Sequence, residues 1–310
     1  FYKARHILNF YYFIILMGAI SAVIAIYFYL IGNPDFFIIK NSFYKNSSTG
    51  FFINRTVYSC FLVLCFFCGT EYLRLFDKFN NDTTENFFKK IHVRIFILFI
   101  TIASITTFSR IGNFLLLSLI IFYILHLLIF KNNENRFFFN TLLLILVFDV
   151  LILGFYFGTE KLVSRYSFLS NELNEYFPGL IENNLSRGSI ALFGAQKIKE
   201  FSLFGYGLGG FEYLFKIDFP NLSSKYADHA HSDLPEFIGE LGLIGFLNLL
   251  FVFLMILIKN NFFYFKNLLL IYYFITLLIF DFSLHIPIVQ FLLVILFSIN
   301  IDNNKFKSVV

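Results

Sequence analysis

Long apolar runs separated by polar connectors dominate the chain. The first, from about Ile7 to Ile31, follows Lys3 and Arg5 and exceeds the roughly 20 residues a helix needs to cross a bilayer. Asn33-Pro34, Asn46-Ser47-Ser48 and Gly50 then break the chain before a second run from about Thr56 to Phe76. After the polar connector Asp77 to Arg94, residues Ile95 to Phe130 are apolar except at Thr107, Ser109, Arg110 and Asn113. That interruption predicts two short spans joined by a tight turn, with Arg110 at a membrane face. Lys131 to Arg136 is a short loop, and Phe137 to Phe157 makes a fifth span with Asp149 inside it. Gly158 to Pro235 reads as one long loop containing short helices. Further spans are expected at about Phe237 to Ile258, Leu268 to Phe282 and Pro287 to Ile299. The pattern predicts an all-α, polytopic membrane helical bundle of about eight spans, a single membrane domain over 1–310 whose loop 158–235 carries the chemistry.

Composition strengthens this reading. Of the 310 residues 58% are hydrophobic and only 14% charged, far from the balance of a soluble domain of this length. The net charge of +4 is spread over loops, with no basic block of the kind that binds nucleic acid. Cys60, Cys65 and Cys68 lie within one apolar run and read as small packing residues rather than disulfides or metal ligands. Lysines and arginines near span ends prefer the cytoplasm. With eight alternating spans, Lys3 and Arg5, the 77–94 loop, Lys131 and Arg136, Lys259 and Lys266, and the tail share that side. The 33–55 loop, Arg110, the long loop and the Ser283 to His285 turn then share the outer face.

The candidate chemistry gathers there. Residues 187–200 read as an amphipathic helix capped by Ser186, with Arg187 in its first turn. A guanidinium beside unpaired helix N–H groups suits a phosphate or diphosphate; a solvated loop arginine is the ordinary alternative. FGYGLGGF, 204–211, matches a dinucleotide-binding pattern by letter, but no strand precedes it. Its Gly205, Gly207 and Gly209 fit a tight backbone path or a nest of N–H groups beside an anion. His229 and His231, flanked by Asp228 and Asp233, are a weak metal signal without a third well-spaced ligand. Asp233-x-x-Glu236 with Pro235 marks a helix start. His231 just ahead of that N-terminus is kept neutral by the dipole and is a candidate general base. Glu240 follows on the same helix, in a position to orient a neighbour or line a cavity. Asp149 and Asp281 are ionisable groups at apparent membrane depth.

Arg187, LFGYGLGGF, His231-Ser232 followed after nine residues by Gly242-x-x-Gly245, and DFSLHIP near the C-terminus resemble, in order, the O-antigen ligase and O-antigen polymerase family of membrane glycosyltransferases. GFFINR at 50–55 and the FSR ending at Arg110 are similar to two further family signatures. The resemblance implies a GT-C-like fold and an inverting glycosyltransferase of the bacterial inner membrane, facing the periplasm. It implies an undecaprenyl-diphosphate-linked glycan donor and a glycan or lipid A core acceptor. Neither cofactor nor metal is implied. By that resemblance Arg187 and Arg110 lie near the diphosphate, and His231 activates the acceptor hydroxyl. Ligases often show arginine followed four positions later by leucine; Arg165 with Leu169 fits this and Arg187 with Ala191 does not, so Arg165 is a rival. Family members carry about ten to twelve spans, so spans ahead of Phe1 are expected. A transporter or flippase for a lipid-linked or anionic substrate is the alternative class, disfavoured by the lack of a visible inverted repeat.

Overall fold

The computed structural model describes residues 4–35, 44–79, 84–129, 140, 142–145, 147, 187–219, 227–260 and 263–299, and all regular structure among them is helical. The chain divides into two units, Phe1–Tyr156 with Phe291–Val310, and Phe157–Gln290.

The first unit contains α1 (Ala4–Leu30), α2 (Arg55–Phe79), α3 (Thr84–Thr106) and α4 (Arg110–Ile129). Helix α2 is central, packed on the other three, and its apolar stretch is wholly buried. Close approach is possible because small residues meet there: a Cβ on Gly112 of α4 would stand 1.8 Å from Ser59 Oγ of α2. Ser21 also donates to the Tyr58 hydroxyl at 3.2 Å, and Ser59 and Ser104 share a 3.1 Å hydrogen bond. Cys60, Cys65 and Cys68 are buried within α2 and joined in no disulfide. The run that forms α2 carries a buried ion pair. Glu71, fully buried, bonds Arg74 at 2.6 Å and accepts the Tyr123 hydroxyl at 2.8 Å.

The loops at one end of this unit are tightly built. Helix α1 stops at Gly32 (φ +82°), where Asn33 N–H donates to Phe28 O at 2.8 Å and Gly32 N–H to Tyr29 O at 3.2 Å, a Schellman ending. The Asn33 amide then donates to the carbonyls of Tyr44, Lys45 and Ser47. Ser48 N–H in turn donates to Thr106 O at 2.9 Å. Arg55 at the start of α2 and Arg110 at the start of α4 therefore lie at the same end of the unit. The turn expected at Arg110 is present: Phe108 takes φ +52° and the Ser109 hydroxyl caps α4 by accepting Gly112 N–H at 3.2 Å.

The second unit contains α5 (Arg187–Glu200), α6 (Phe211–Asp218), α7 (Asp233–Lys259), α8 (Phe265–Phe280) and a 3-10 turn (Ser283–His285), after which α9 (Pro287–Ser298) begins. Phe193 of α5 meets Phe211, Phe215 and Phe219 edge-on, at 6.2, 5.4 and 5.5 Å between ring centres. With Ile190, Ala227 and Ala230 these rings form the apolar core beneath the segment that carries the histidines.

Among the described residues four helices are long and apolar enough to cross a membrane: Arg5–Leu30, Arg55–Phe76, Arg110–Ile129 and Asp233–Lys259. Helices α8 and α9 are apolar but shorter, and the expected fifth span lies mostly outside the described residues.

Candidate active site

Helix α7 begins where the Asp-x-x-Glu spacing predicts, and its N-cap residue Ser232 is extended. Neighbouring backbone does the capping: Asp233 N–H donates to Asp281 O at 2.8 Å, while the Ser232 hydroxyl donates to Ile279 O at 2.9 Å. Asp233, Glu236 and Glu240 fall at helical spacing on one face, and all three are buried. Asp233 accepts Leu284 N–H at 2.8 Å and bonds His285 Nδ1. The other nitrogen, His285 Nε2, lies 3.7 Å from Glu236 and 3.6 Å from Glu240. Its ring stacks on Phe237 at 4.0 Å. Burial opposes a charge on His285, but the hydrogen bond to Asp233 and the nearby carboxylates of Glu240 and Glu236 outweigh it, raising its pKa to about 10. At neutral pH it is an imidazolium held inside a cage of carboxylates.

Glu236 also organises the two upstream histidines. One oxygen meets His229 Nδ1 at 2.7 Å and the other accepts Ala230 N–H at 2.6 Å. The His229 ring stacks on Phe282 at 4.9 Å, so both its plane and its Nδ1 are fixed. Burial works against its proton, but the hydrogen bond and charge of Glu236 prevail and hold its pKa above the usual histidine value. His231 sits edge-on to the same Phe282 ring at 5.4 Å, with φ +58°. A non-glycine residue in the left-handed region is uncommon, although histidine is among the better tolerated there, and it stays where the surroundings fix the backbone. Here Glu236 holds the amide of Ala230 on one side and Ile279 O holds the hydroxyl of Ser232 on the other.

The glycine loop explains itself against α7. Gly242 interrupts that helix with φ +67° and ψ 174°, which frees carbonyls before the break and amides after it. Tyr206 N–H donates to Gly239 O at 2.9 Å and Gly207 N–H to Glu240 O at 3.1 Å. In return Leu243 N–H donates to Ser202 O at 2.9 Å and Ile244 N–H to Leu203 O at 3.3 Å. Gly205 and Gly242 lie backbone to backbone: a Cβ on Gly205 would meet Glu240 O at 2.3 Å, and one on Gly242 would meet Gly205 N at 2.4 Å. The Glu240 side chain completes the clasp by accepting Gly209 N–H at 2.8 Å. The amides of Gly207 and Gly209 thus serve the loop's own attachment, and the Glu240 side chain is what holds the second of them.

The structure brings His229, His231, Glu240 and the glycine loop together in the second unit. Arg110, half-buried at the head of α4, belongs to the first unit. Arg187 is the first residue of α5, and its side chain is outside the described residues, as are Arg165 and Asp149 altogether. Asp281, flagged by its apparent membrane depth, is buried and accepts the Ser283 hydroxyl at 2.7 Å. The sequence reading did not single out His285 as a site residue or the anchoring role of Glu236. Among the described residues one group, Glu236, Glu240 and His285, has ligand atoms within 4.8 Å of one another. These three residues could offer ligand atoms to a cation, and the same two carboxylates face His285 Nε2.

Fold and site together define a helical, multi-pass membrane protein with a histidine–carboxylate cluster at the head of a broken span. The family profile described as O-antigen ligase (Wzy_C) matches residues 95–250, slightly more than half of the 310-residue chain, and the chain belongs to the O-antigen ligase family. Membership carries with it glycosyl transfer of the ligase or polymerase type, between a lipid-linked glycan and an acceptor. No curated protein and no solved structure matches the chain.

Proposed function

We propose that this protein is an inverting glycosyltransferase of the bacterial inner membrane that takes glycan from an undecaprenyl-diphosphate carrier at the periplasmic face. The acceptor hydroxyl oxygen attacks the anomeric carbon as the bond to the diphosphate breaks. The hydroxyl proton passes to His231, and the diphosphate leaves with the carrier. Arg187 and Arg110 neutralise the departing diphosphate, with Arg165 as rival to Arg187; this is charge stabilisation of a kind a divalent cation supplies elsewhere, so the reaction needs no metal. Eight spans with the basic loops in the cytoplasm give the required orientation.

The observation that carries this reading is the constrained His231, over-determined by Glu236 and Ile279 in the segment where the family match falls. Electrostatics support the division of labour. Asp233, Glu236 and Glu240 gather three buried carboxyl groups around His285, an acidic setting that disfavours a diphosphate beside the histidines. The diphosphate must then be met by the arginines. A second reading makes His229 the base, because Glu236 fixes its Nδ1 as a carboxylate does in a histidine dyad, turning Nε2 to the substrate.

The test is incubation of the purified, reconstituted protein with an undecaprenyl-diphosphate-linked repeat unit, with and without lipid A core. Longer carrier-linked chains identify a polymerase, and a core conjugate identifies a ligase. Movement of the donor across the bilayer without any new glycosidic bond overturns the proposal in favour of a flippase.

A further inference from the structure

We propose that the loop 201–210 is a membrane-docking surface, with Leu203, Phe204 and Leu208 seated in the acyl edge of the bilayer beside the point where α7 enters it. Within this short segment Leu203 is 59% exposed, Phe204 79% and Leu208 76%, and residues 201–211 contain no charged side chain. Single exposed leucines are ordinary on any protein, but three bulky apolar side chains raised on one uncharged loop mark a contact surface.

The occupant follows from what the loop is fastened to. Leu203 O and Ser202 O accept the N–H groups of Ile244 and Leu243, so the loop lies level with the first residues beyond the break in α7. Those residues open the lipid-facing stretch of the span: Leu243 and Ile244 are themselves 45% and 48% exposed, and the apolar exposure continues through Leu247 and Phe251. The loop surface is therefore continuous with a surface whose partner is hydrocarbon. The amides of Gly205, Tyr206, Gly207 and Gly209 are all satisfied within the protein, the condition backbone must meet to approach a medium without water. This inference requires only that α7 spans a membrane, and holds whichever reaction the cluster performs.

The chain has no tryptophan, so one introduced residue reports its surroundings alone. The experiment places Phe204→Trp, Leu208→Trp and, as a polar control, Asp228→Trp separately in the full chain, reconstituted in phosphatidylglycerol–phosphatidylethanolamine vesicles. Circular dichroism and gel filtration verify each variant's fold. The proposal expects blue-shifted emission at 204 and 208, loss of most of it with acyl-brominated lipid, and little loss with aqueous iodide. The control should show the reverse. Emission at 204 and 208 quenched by iodide and indifferent to brominated lipid overturns the proposal. So does shielding that appears only at high protein-to-lipid ratio, which assigns the patch to a second copy of the chain.

Discussion

His285 Nδ1 bonds the carboxylate of Asp233, tying the turn after α8 to the first residue of α7 across more than fifty positions of sequence. Because the folded-state pKa of His285 is raised to about 10 from the usual 6.5, its contribution to stability is fully present below about pH 6.5 and is lost as pH rises toward 10. Melting temperature in detergent should fall over that window. His285→Gln should flatten the fall and lower stability at pH 6.5 by about 3–5 kcal/mol, since it leaves buried carboxylates without their counter-charge. A wild-type melting temperature that holds level from pH 6.5 to 10 would contradict this.

Gly205→Ala and Gly242→Ala each drive a Cβ into backbone at 2.3–2.4 Å from a left-handed conformation. Gly207→Ala meets nothing within 4 Å, although its φ is +94°. The first two should cost at least about 3 kcal/mol or prevent folding, whereas the third should cost about 1–2 kcal/mol of backbone strain. Thermal melts of the three side by side measure the contrast; equal losses would mean the loop does not clasp the break.

Glu71→Ala removes the buried carboxylate that Arg74 and Tyr123 both bond in the first unit and should destabilise by about 3–5 kcal/mol. Replacing both, Glu71→Leu with Arg74→Met, should recover part of that loss, because the guanidinium goes with the carboxylate it bonds. Expression and melting temperature of the single and double variants check it.

Much of this architecture is written locally. The Asp-x-x-Glu spacing with Pro235 marks the start of α7, the polar interruption marks the turn at Arg110, and periodicity marks α5. What escapes a sequence reading is pairing at a distance. Gly205 with Gly242 and His285 with Asp233 have no local signature, because the reason for each residue is a partner far along the chain. Glu71 escapes differently: a Glu and an Arg three residues apart near the end of an apolar run carry no local sign that they are paired and buried. Of the eight expected spans, four are long and apolar enough among the described residues; α3 carries the charged residues Lys89, Lys90 and Arg94, α8 and α9 are short, and the fifth lies mostly outside the described residues.

If Glu236 tunes His229 rather than merely packing it, Glu236→Gln should shift the acidic limb of the pH–rate profile to lower pH, since the charge that raises the His229 pKa is gone. His229→Gln should abolish that limb only if His229 itself accepts the proton. An unmoved limb in both variants leaves His231 as the titrating base.

The most direct measurement is transfer by His231→Ala in vesicles given a diphosphate-linked donor and acceptor, with donor binding measured on the same preparation. Loss of turnover by about 10²-fold or more, with binding of the donor retained, is the predicted result for removal of a general base. Undiminished transfer by the folded variant would contradict the role assigned to His231.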